Sequence, residues 1–215
     1  IIVKKPKKVI AIEKDKSLSL ALENKFKDHQ IIKVINNDIM KILNKINIGK
    51  NIIVFGNLPY NISTQILASF MLISKWPAWY EELIFMFQKE VADRIIAKEN
   101  TKNYGRLSVL CNWRMNIVKH FDISKNCFKP KPKISSTVLS FKPKNEYNYN
   151  LKNPKNLETV TRILFSNRRK IIKKKIQKIF NLDQIKQFKN LNLNYRPSEL
   201  NKEFYYKAAV IFERG

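Results

Sequence analysis

The segment Phe55-Gly56-Asn57-Leu58-Pro59-Tyr60-Asn61-Ile62-Ser63 brings residue types together at a spacing that suits a definite reaction. An exocyclic amine on an aromatic base is a poor nucleophile, because its lone pair is delocalised into the ring. Hydrogen-bond acceptors placed on its hydrogens help to localise that pair, and Asn57 offers a side-chain oxygen while Leu58 offers a backbone carbonyl. Pro59 restricts Leu58 to extended conformations, which lets that carbonyl point outward. Tyr60 supplies a ring on which an extruded base stacks, worth about 1 to 3 kcal/mol. The same residues also describe a proline turn with a buried tyrosine, and taken alone they leave both readings open.

Other chemistries lack their residues. Cys111 and Cys127 have no metal-like spacing and His29 and His120 stand apart, so neither a zinc cluster nor a histidine-dependent triad is expected. The cysteines read as reduced and structural, and no metal is expected. Four glycines, Gly49, Gly56, Gly105 and Gly215, are too few and too dispersed for a Gly-rich phosphate loop.

The partner is suggested by charge. Forty-two Lys and Arg against 17 Asp and Glu leave +25 on 215 residues, while 44% of residues are apolar. That apolar share excludes a disordered basic tail, and the commonest counter-charge for such an excess is the phosphate of nucleic acid. A source proteome rich in Lys and Asn would account for part of the excess, but drift spreads Lys evenly. Between Arg162 and Lys178 the chain instead concentrates eight cations, Arg162, Arg168, Arg169, Lys170, Lys173, Lys174, Lys175 and Lys178, without one acid. This pattern favours a binding face over a merely solvated one. No apolar run reaches the roughly 18 to 20 residues of a spanning helix, and no targeting signal is visible.

The elements that must position these residues follow from periodicity. Val9 to Ile12, Ile31 to Ile35, Ile52 to Phe55 and Leu83 to Phe87 read as apolar strands. Helical spacing intervenes after Leu18, at Ile39 to Leu43, and from Ser63 or Thr64, either of which is a candidate cap for Ile66, Leu67, Phe70 and Met71. A chain break is expected at Gly49. Alternating strands and helices predict a parallel sheet covered on both faces. Arg106 to Trp113 reads as a helix, and Ile117 to Ile123 with Ser136 to Phe141 read as an antiparallel edge flanking Phe128-Lys129-Pro130-Lys131-Pro132. The stretch after Pro143 reads as a linker, and the remainder from about Asn153 as a small helical domain.

In doubly wound sheets ligands sit at the carboxyl ends of strands, and an acid ending the second strand accepts hydrogen bonds from ribose hydroxyls. Glu13 has that character, and Asp38 ends the next strand. Each is equally well read as an ordinary surface acid at a strand end. Twelve residues before Glu13 cannot hold a first strand and its glycine turn, so the chain is expected to begin after them.

Asn57-Leu58-Pro59-Tyr60 resembles the catalytic motif of the ribosomal small-subunit RNA adenine dimethyltransferases, the family linked to kasugamycin sensitivity. Further segments match that family in order: Val9-Ile10-Ala11-Ile12-Glu13-Lys14-Asp15, Asn37-Asp38, Gln88-Lys89-Glu90-Val91, Tyr104-Gly105-Arg106-Leu107-Ser108, Phe128-Lys129-Pro130-Lys131-Pro132-Lys133 and Phe165-Ser166-Asn167-Arg168-Arg169-Lys170.

The resemblance implies an α/β fold, a Rossmann-like class I methyltransferase sheet with its first strand and Gly-rich turn outside the chain, and a small C-terminal helical domain. The implied division is 1-144 for the methyltransferase domain and 145-215 for an RNA-binding helical domain. It implies transfer of methyl groups from S-adenosylmethionine to two adjacent adenines in a hairpin loop near the 3′ end of 16S ribosomal RNA, within the small subunit, by a cytoplasmic monomer. Glu13 would bind the cofactor ribose and Asp38 its adenine, while Asn57 would lie between cofactor and target amine. Tyr60 and Phe128 would sandwich the flipped adenine, and Leu58 and Pro59 complete the motif. Arg106, Arg168, Arg169, Lys170, Lys173 and Lys174 would grip RNA phosphates. Two other functions stay open: a catalytically silent RNA-binding or ribosome-assembly factor, and the related large-subunit 23S adenine methyltransferases of macrolide resistance, whose motif commonly has Ile at the place of Leu58.

Overall fold

The chain divides at Asn47/Ile48 into two units, and the structure, a computed structural model, describes residues 5–43 and 51–215. The break expected at Gly49 lies outside the described residues. In the first unit β1 (Val9–Glu13) pairs in parallel with β2 (Ile32–Asn36), in a register that sets Glu13 opposite Asn36. Parallel neighbours need a crossover, and α1 (Lys16–Phe26) supplies it, started by the Asp15 carboxylate accepting from the Leu18 amide at 2.9 Å. A short helix α2 (Ile39–Ile42) follows β2, with Asp38 as its cap.

The second unit holds a four-stranded sheet. β3 (Ile53–Asn57) runs parallel to β4 (Glu82–Gln88), and β4 is antiparallel to β6 (Ser136–Pro143), which is antiparallel to β5 (Met115–Ile123). The spatial order is β3-β4-β6-β5, so the expected antiparallel addition is made with the last strand inserted beside β4. Helix α3 (Ser63–Met71) packs on this sheet through Phe70, whose ring centroid lies 5.5 Å from that of Phe85. Burial along β4 alternates, with Leu83, Phe85 and Phe87 inside, and Ile53 and Phe55 of β3 are each 48% exposed. Double-sided burial is therefore not realised at β3 among the described residues. Continuous apolar runs do not by themselves separate one-face from two-face burial.

Helix α4 (Lys89–Ile95) follows β4 directly, and α5 (Arg106–Arg114) leads into β5. The region from 155 onward is helical: α6 (Lys155–Leu164), α7 (Lys173–Ile176), α8 (Leu182–Lys186) and α9 (Lys202–Arg214). Its apolar faces build one core with α5, in which Val109 and Trp113 join Leu157, Val160, Tyr205 and Ala208. The stretch read as a linker is packed instead. Tyr147 meets Trp113 edge-on at 5.9 Å, the Trp113 indole donates to the Tyr149 carbonyl at 2.9 Å, and Leu151 is buried. Two tyrosines among asparagines are enough to anchor it, because each carries a large apolar ring with a polar tip. Among the described residues no helix is long and apolar enough to cross a membrane.

Candidate active site

The catalytic-motif residues sit at the carboxyl end of β3. Gly56 is required one residue earlier, because a Cβ there would come within 2.8 Å of both Leu58 Cδ2 and Phe85 Cδ1. Phe85 is a core ring and cannot retreat. Asn57 is the last residue of the strand and is paired with Met86. Its side chain is exposed, and among the described residues neither that amide nor the Leu58 carbonyl is engaged in a hydrogen bond. Both acceptors therefore remain available. The chain then turns, with the Ile62 amide donating to the Pro59 carbonyl at 3.1 Å.

Neither Ser63 nor Thr64 caps α3 through its side chain, contrary to the expectation from sequence: Ile62 holds the cap position without a side-chain hydrogen bond. Ser63 is the first helical residue, and its buried hydroxyl reaches back to donate to the Tyr60 carbonyl at 3.1 Å. Tyr60 is half-buried, and its hydroxyl shares a 2.6 Å hydrogen bond with the hydroxyl of Ser136. Ser136 opens β6 opposite Gln88 and Ile123, so β3, β4, β5 and β6 all bring residues to this end of the sheet.

The segment joining β5 to β6 carries Phe128, half-buried, just beyond a 3-10 turn at Lys125–Cys127. Its base is tied down by a charge cluster. Asp122 accepts from Lys89 Nζ at 2.7 Å and from Thr137 Oγ1 at 2.7 Å, and lies 3.0 Å from Lys119 Nζ. Lys89 first, then Thr137 and Lys119, hold the Asp122 carboxyl well below the usual carboxylate range, and the same bond raises Lys89. The Lys89 amide also donates to the Ser135 carbonyl at 2.9 Å. Sequence reasoning singled out Lys89 only as part of a family segment and missed Ser136, Asp122 and Thr137. Apart from Lys119, three positions from Asp122, the partners of these residues lie 15 to 76 positions away, so little local signal marks them.

In the first unit Glu13 ends β1, its Oε1 accepting from the Asp15 amide at 2.8 Å. Asp38 caps α2 by accepting from the Met40 amide at 3.0 Å and pairs with Lys14 at 3.1 Å, contacts that lower its pKa, led by Lys14. Carboxylates retain acceptor capacity beyond such bonds. An acid at the carboxyl end of each of two paired parallel strands is a donor-accepting set that fits a nucleoside-bearing cofactor.

The cation-rich stretch is less helical than its composition suggested. After α6 the residues from Phe165 to Lys170 form turns, and α7 spans only Lys173–Ile176. Arg169, Lys170, Lys173 and Lys174 are exposed and Arg168 is half-buried, donating to the Thr101 carbonyl at 3.1 Å. Lys175 departs from the expected cationic face. It is buried, and its ammonium donates to the carbonyls of Leu164 at 2.8 Å and Asn167 at 2.7 Å, satisfying backbone groups left over at the end of α6. Arg106 opens α5 and faces Glu158 at 3.8 Å. A cleft of about 170 Å³ opens between the 144–149 stretch and α9 and another of about 310 Å³ opens mainly among residues 188–207, and neither includes Asn57, Tyr60 or Phe128.

A Rossmann-like sheet with an Asn-Leu-Pro-Tyr turn at a strand end defines a class I methyltransferase. Two solved structures share the fold: a dimethyladenosine transferase from Plasmodium falciparum, TM-score 0.72 at 22% identity over 94% of this chain and 80% of that one, and the 23S rRNA methyltransferase ErmE, TM-score 0.63 at 19% identity over 96% and 81%. The model of the ribosomal RNA adenine dimethylase family matches residues 1–213, and the chain belongs to that family. The Ribosomal RNA small subunit methyltransferase A of Pelagibacter ubique is 45% identical over 214 residues, 99% of this chain and 80% of the relative. The chain is accordingly an rRNA adenine dimethyltransferase, and its cofactor is S-adenosylmethionine.

Proposed function

We propose that this protein dimethylates the exocyclic amines of two adjacent adenines in the 3′-terminal hairpin loop of 16S ribosomal RNA, acting on the small ribosomal subunit as a monomer in the cytoplasm. Supporting the substrate is the likeness to small-subunit methyltransferases. The observation that carries the site assignment is the pair of acceptors, the Asn57 amide oxygen and the Leu58 carbonyl, that are unengaged among the described residues at the carboxyl end of a parallel strand.

S-adenosylmethionine supplies the electrophilic methyl group when bound. Glu13 accepts hydrogen bonds from its ribose and Asp38 from its adenine. In the first transfer Asn57 and Leu58 would accept from the two hydrogens of the target amine, and in the second one of them from the single hydrogen left, which draws the nitrogen lone pair out of conjugation with the base. Each transfer forms a nitrogen–carbon bond as the sulfonium–methyl bond breaks to a neutral thioether, and releases one amine proton to solvent. Pro59 holds Leu58 extended so that its carbonyl faces outward. Tyr60 and Phe128 stack on the two faces of the extruded adenine, offsetting part of the cost of leaving its own stack. The acceptor is an amine, so no covalent enzyme intermediate is needed.

Arg106, Arg168, Arg169, Lys170, Lys173 and Lys174 contact RNA phosphates, most of them from the 145-215 helical portion that serves as the RNA-binding domain beside the 1-144 methyltransferase domain. Such contacts position the substrate without reading its sequence. Target choice then rests on folded shape and a single-stranded loop.

The test is transfer of labelled methyl groups from S-adenosylmethionine to purified small and large subunits that lack the modification. Label at two adjacent loop adenines of the small subunit is the expected result. Preference for the large subunit would overturn the substrate, and subunit binding without label would overturn the catalytic assignment.

A further inference from the structure

The hydroxyls of Tyr60 and Ser136 lie 2.6 Å apart across 76 positions of sequence. Their surroundings differ sharply. Ser136 is fully buried at the first position of β6, paired with Gln88 of β4 on one side and Ile123 of β5 on the other. Its neighbours fix the backbone further, since the Ser135 carbonyl accepts from the Lys89 amide at 2.9 Å and Thr137 donates to Asp122 at 2.7 Å. The Ser136 backbone is thus held by three strands, and burial confines its hydroxyl.

Tyr60 is half-buried on an irregular turn. An aromatic side chain has two rotatable bonds: anchoring the phenolic oxygen, which lies on the Cβ–Cγ axis, fixes the first and with it the place of the ring, and the preference of phenolic hydrogen bonds for the ring plane biases the second. The Ser63 hydroxyl holds the Tyr60 carbonyl at 3.1 Å, and Ser136 holds the phenolic tip. We infer that Ser136 is a positioning residue for methyl transfer, its hydroxyl holding in place the Tyr60 ring against which the target adenine stacks. This rests on the assignment of Tyr60 to adenine stacking. Phe128 lies on the segment that leads, eight residues on, into Ser136.

Such a residue acts on the bound base and leaves the cofactor alone. Removing one hydrogen bond that orients a reacting group costs about 3- to 10-fold in rate. Ser136→Ala is therefore expected to lower kcat about 3- to 10-fold on small subunits, with KM for S-adenosylmethionine unchanged. Tyr60→Phe, which keeps the ring and loses the same bond, is expected to show the same loss, and the double variant no more than the worse single one. A 2-aminopurine placed at the target adenine reports stacking by its quenching, which Ser136→Ala should reduce at a temperature where the variant is fully folded. Wild-type kcat in Ser136→Ala, losses that multiply in the double variant, or unchanged quenching would each overturn the inference. Asn57→Ala run in parallel separates this from the underlying assignment: if it methylates at the wild-type rate the site itself is wrong, whereas a dead Asn57→Ala beside a fully active Ser136→Ala removes only the positioning role.

Discussion

The guanidinium of Arg114 lies 3.9 Å from the centre of the Trp113 ring and is 1% exposed. It donates to the Ile73 carbonyl at 2.9 Å, and Trp76 and Tyr147 complete an aromatic box at 4.8 and 5.3 Å. No carboxylate pairs with it among the described residues. Burial pushes its pKa down, yet a guanidinium stays charged at neutral pH. Delocalised charge on a flat, weakly hydrated group is what lets such a cation be held by ring faces instead of by an anion.

From this follows an order of stabilities that runs against residue similarity. Arg114→Lys keeps the charge but places a compact, strongly hydrated ammonium in the same box, and should cost about 2 to 4 kcal/mol. Arg114→Met removes the charge and roughly keeps the volume, so it should cost less. Urea unfolding of both variants measures the order, and a lysine variant as stable as the methionine one would refute the box as the reason for this arginine.

Gly56 and Asn57 are adjacent and should fail in different ways. Gly56→Ala drives a methyl into Phe85, a buried ring at 2.8 Å, and is expected to destabilise the fold by about 1 to 3 kcal/mol. Asn57→Ala touches an exposed side chain and should leave the melting temperature within a degree or two. It should reduce methylation at least 100-fold while sparing subunit binding. Melting and label incorporation on the same two preparations separate these outcomes, and methylation by Asn57→Ala at the wild-type rate would refute its role.

Much of this was legible in sequence for definite reasons. β1 to β4 announced themselves as short apolar runs, and the strand ends that place Glu13, Asp38 and Asn57 fell within about two residues of expectation. Those assignments depend on neighbours in sequence. The contacts that stiffen the candidate site depend on distant ones. Ser136 reads as one of two serines opening a strand, and Asp122 as one acid within a β-rich run, until the fold brings Tyr60, Lys89 and Thr137 to them. Lys175 shows the same limit from the other side. Composition counted it with seven other cations, and only the turn after α6 explains why it faces inward.

The cation-rich stretch therefore predicts two phenotypes from neighbouring residues. Replacing Lys173 and Lys174 by Ala should weaken RNA binding while leaving stability nearly unchanged. Removing each phosphate-neutralising ammonium should flatten the log-log salt dependence by about 0.7 to 0.9. Lys175→Met should instead cost about 1 to 3 kcal/mol of stability, because two carbonyls lose their donor. Affinity measured across a salt series, together with thermal melting, tests both halves. A Lys175→Met protein of wild-type stability would return that residue to the binding face.

Asp122 carries a prediction in pH. Its folded pKa is depressed, led by Lys89, while an unfolded aspartate titrates near 3.9. Between those values the unfolded chain binds more protons, so stability rises with pH through that window. The contribution is complete above about pH 5 and is lost as pH falls through the folded value. Lys89 is raised by the same bond, so on the alkaline side the contribution is present below the ordinary lysine range near 10.4 and is lost above it. The gap in melting temperature between the wild type and Asp122→Asn should therefore be widest between about pH 5 and 9, narrow towards pH 2, and narrow again above pH 10. Both groups are about 40% exposed, so added salt should shrink the gap at every pH. A gap that stays constant from pH 2 to pH 7 would mean that Asp122 holds the base of the Phe128 segment by shape and hydrogen bonding to Thr137, with its charge playing no part.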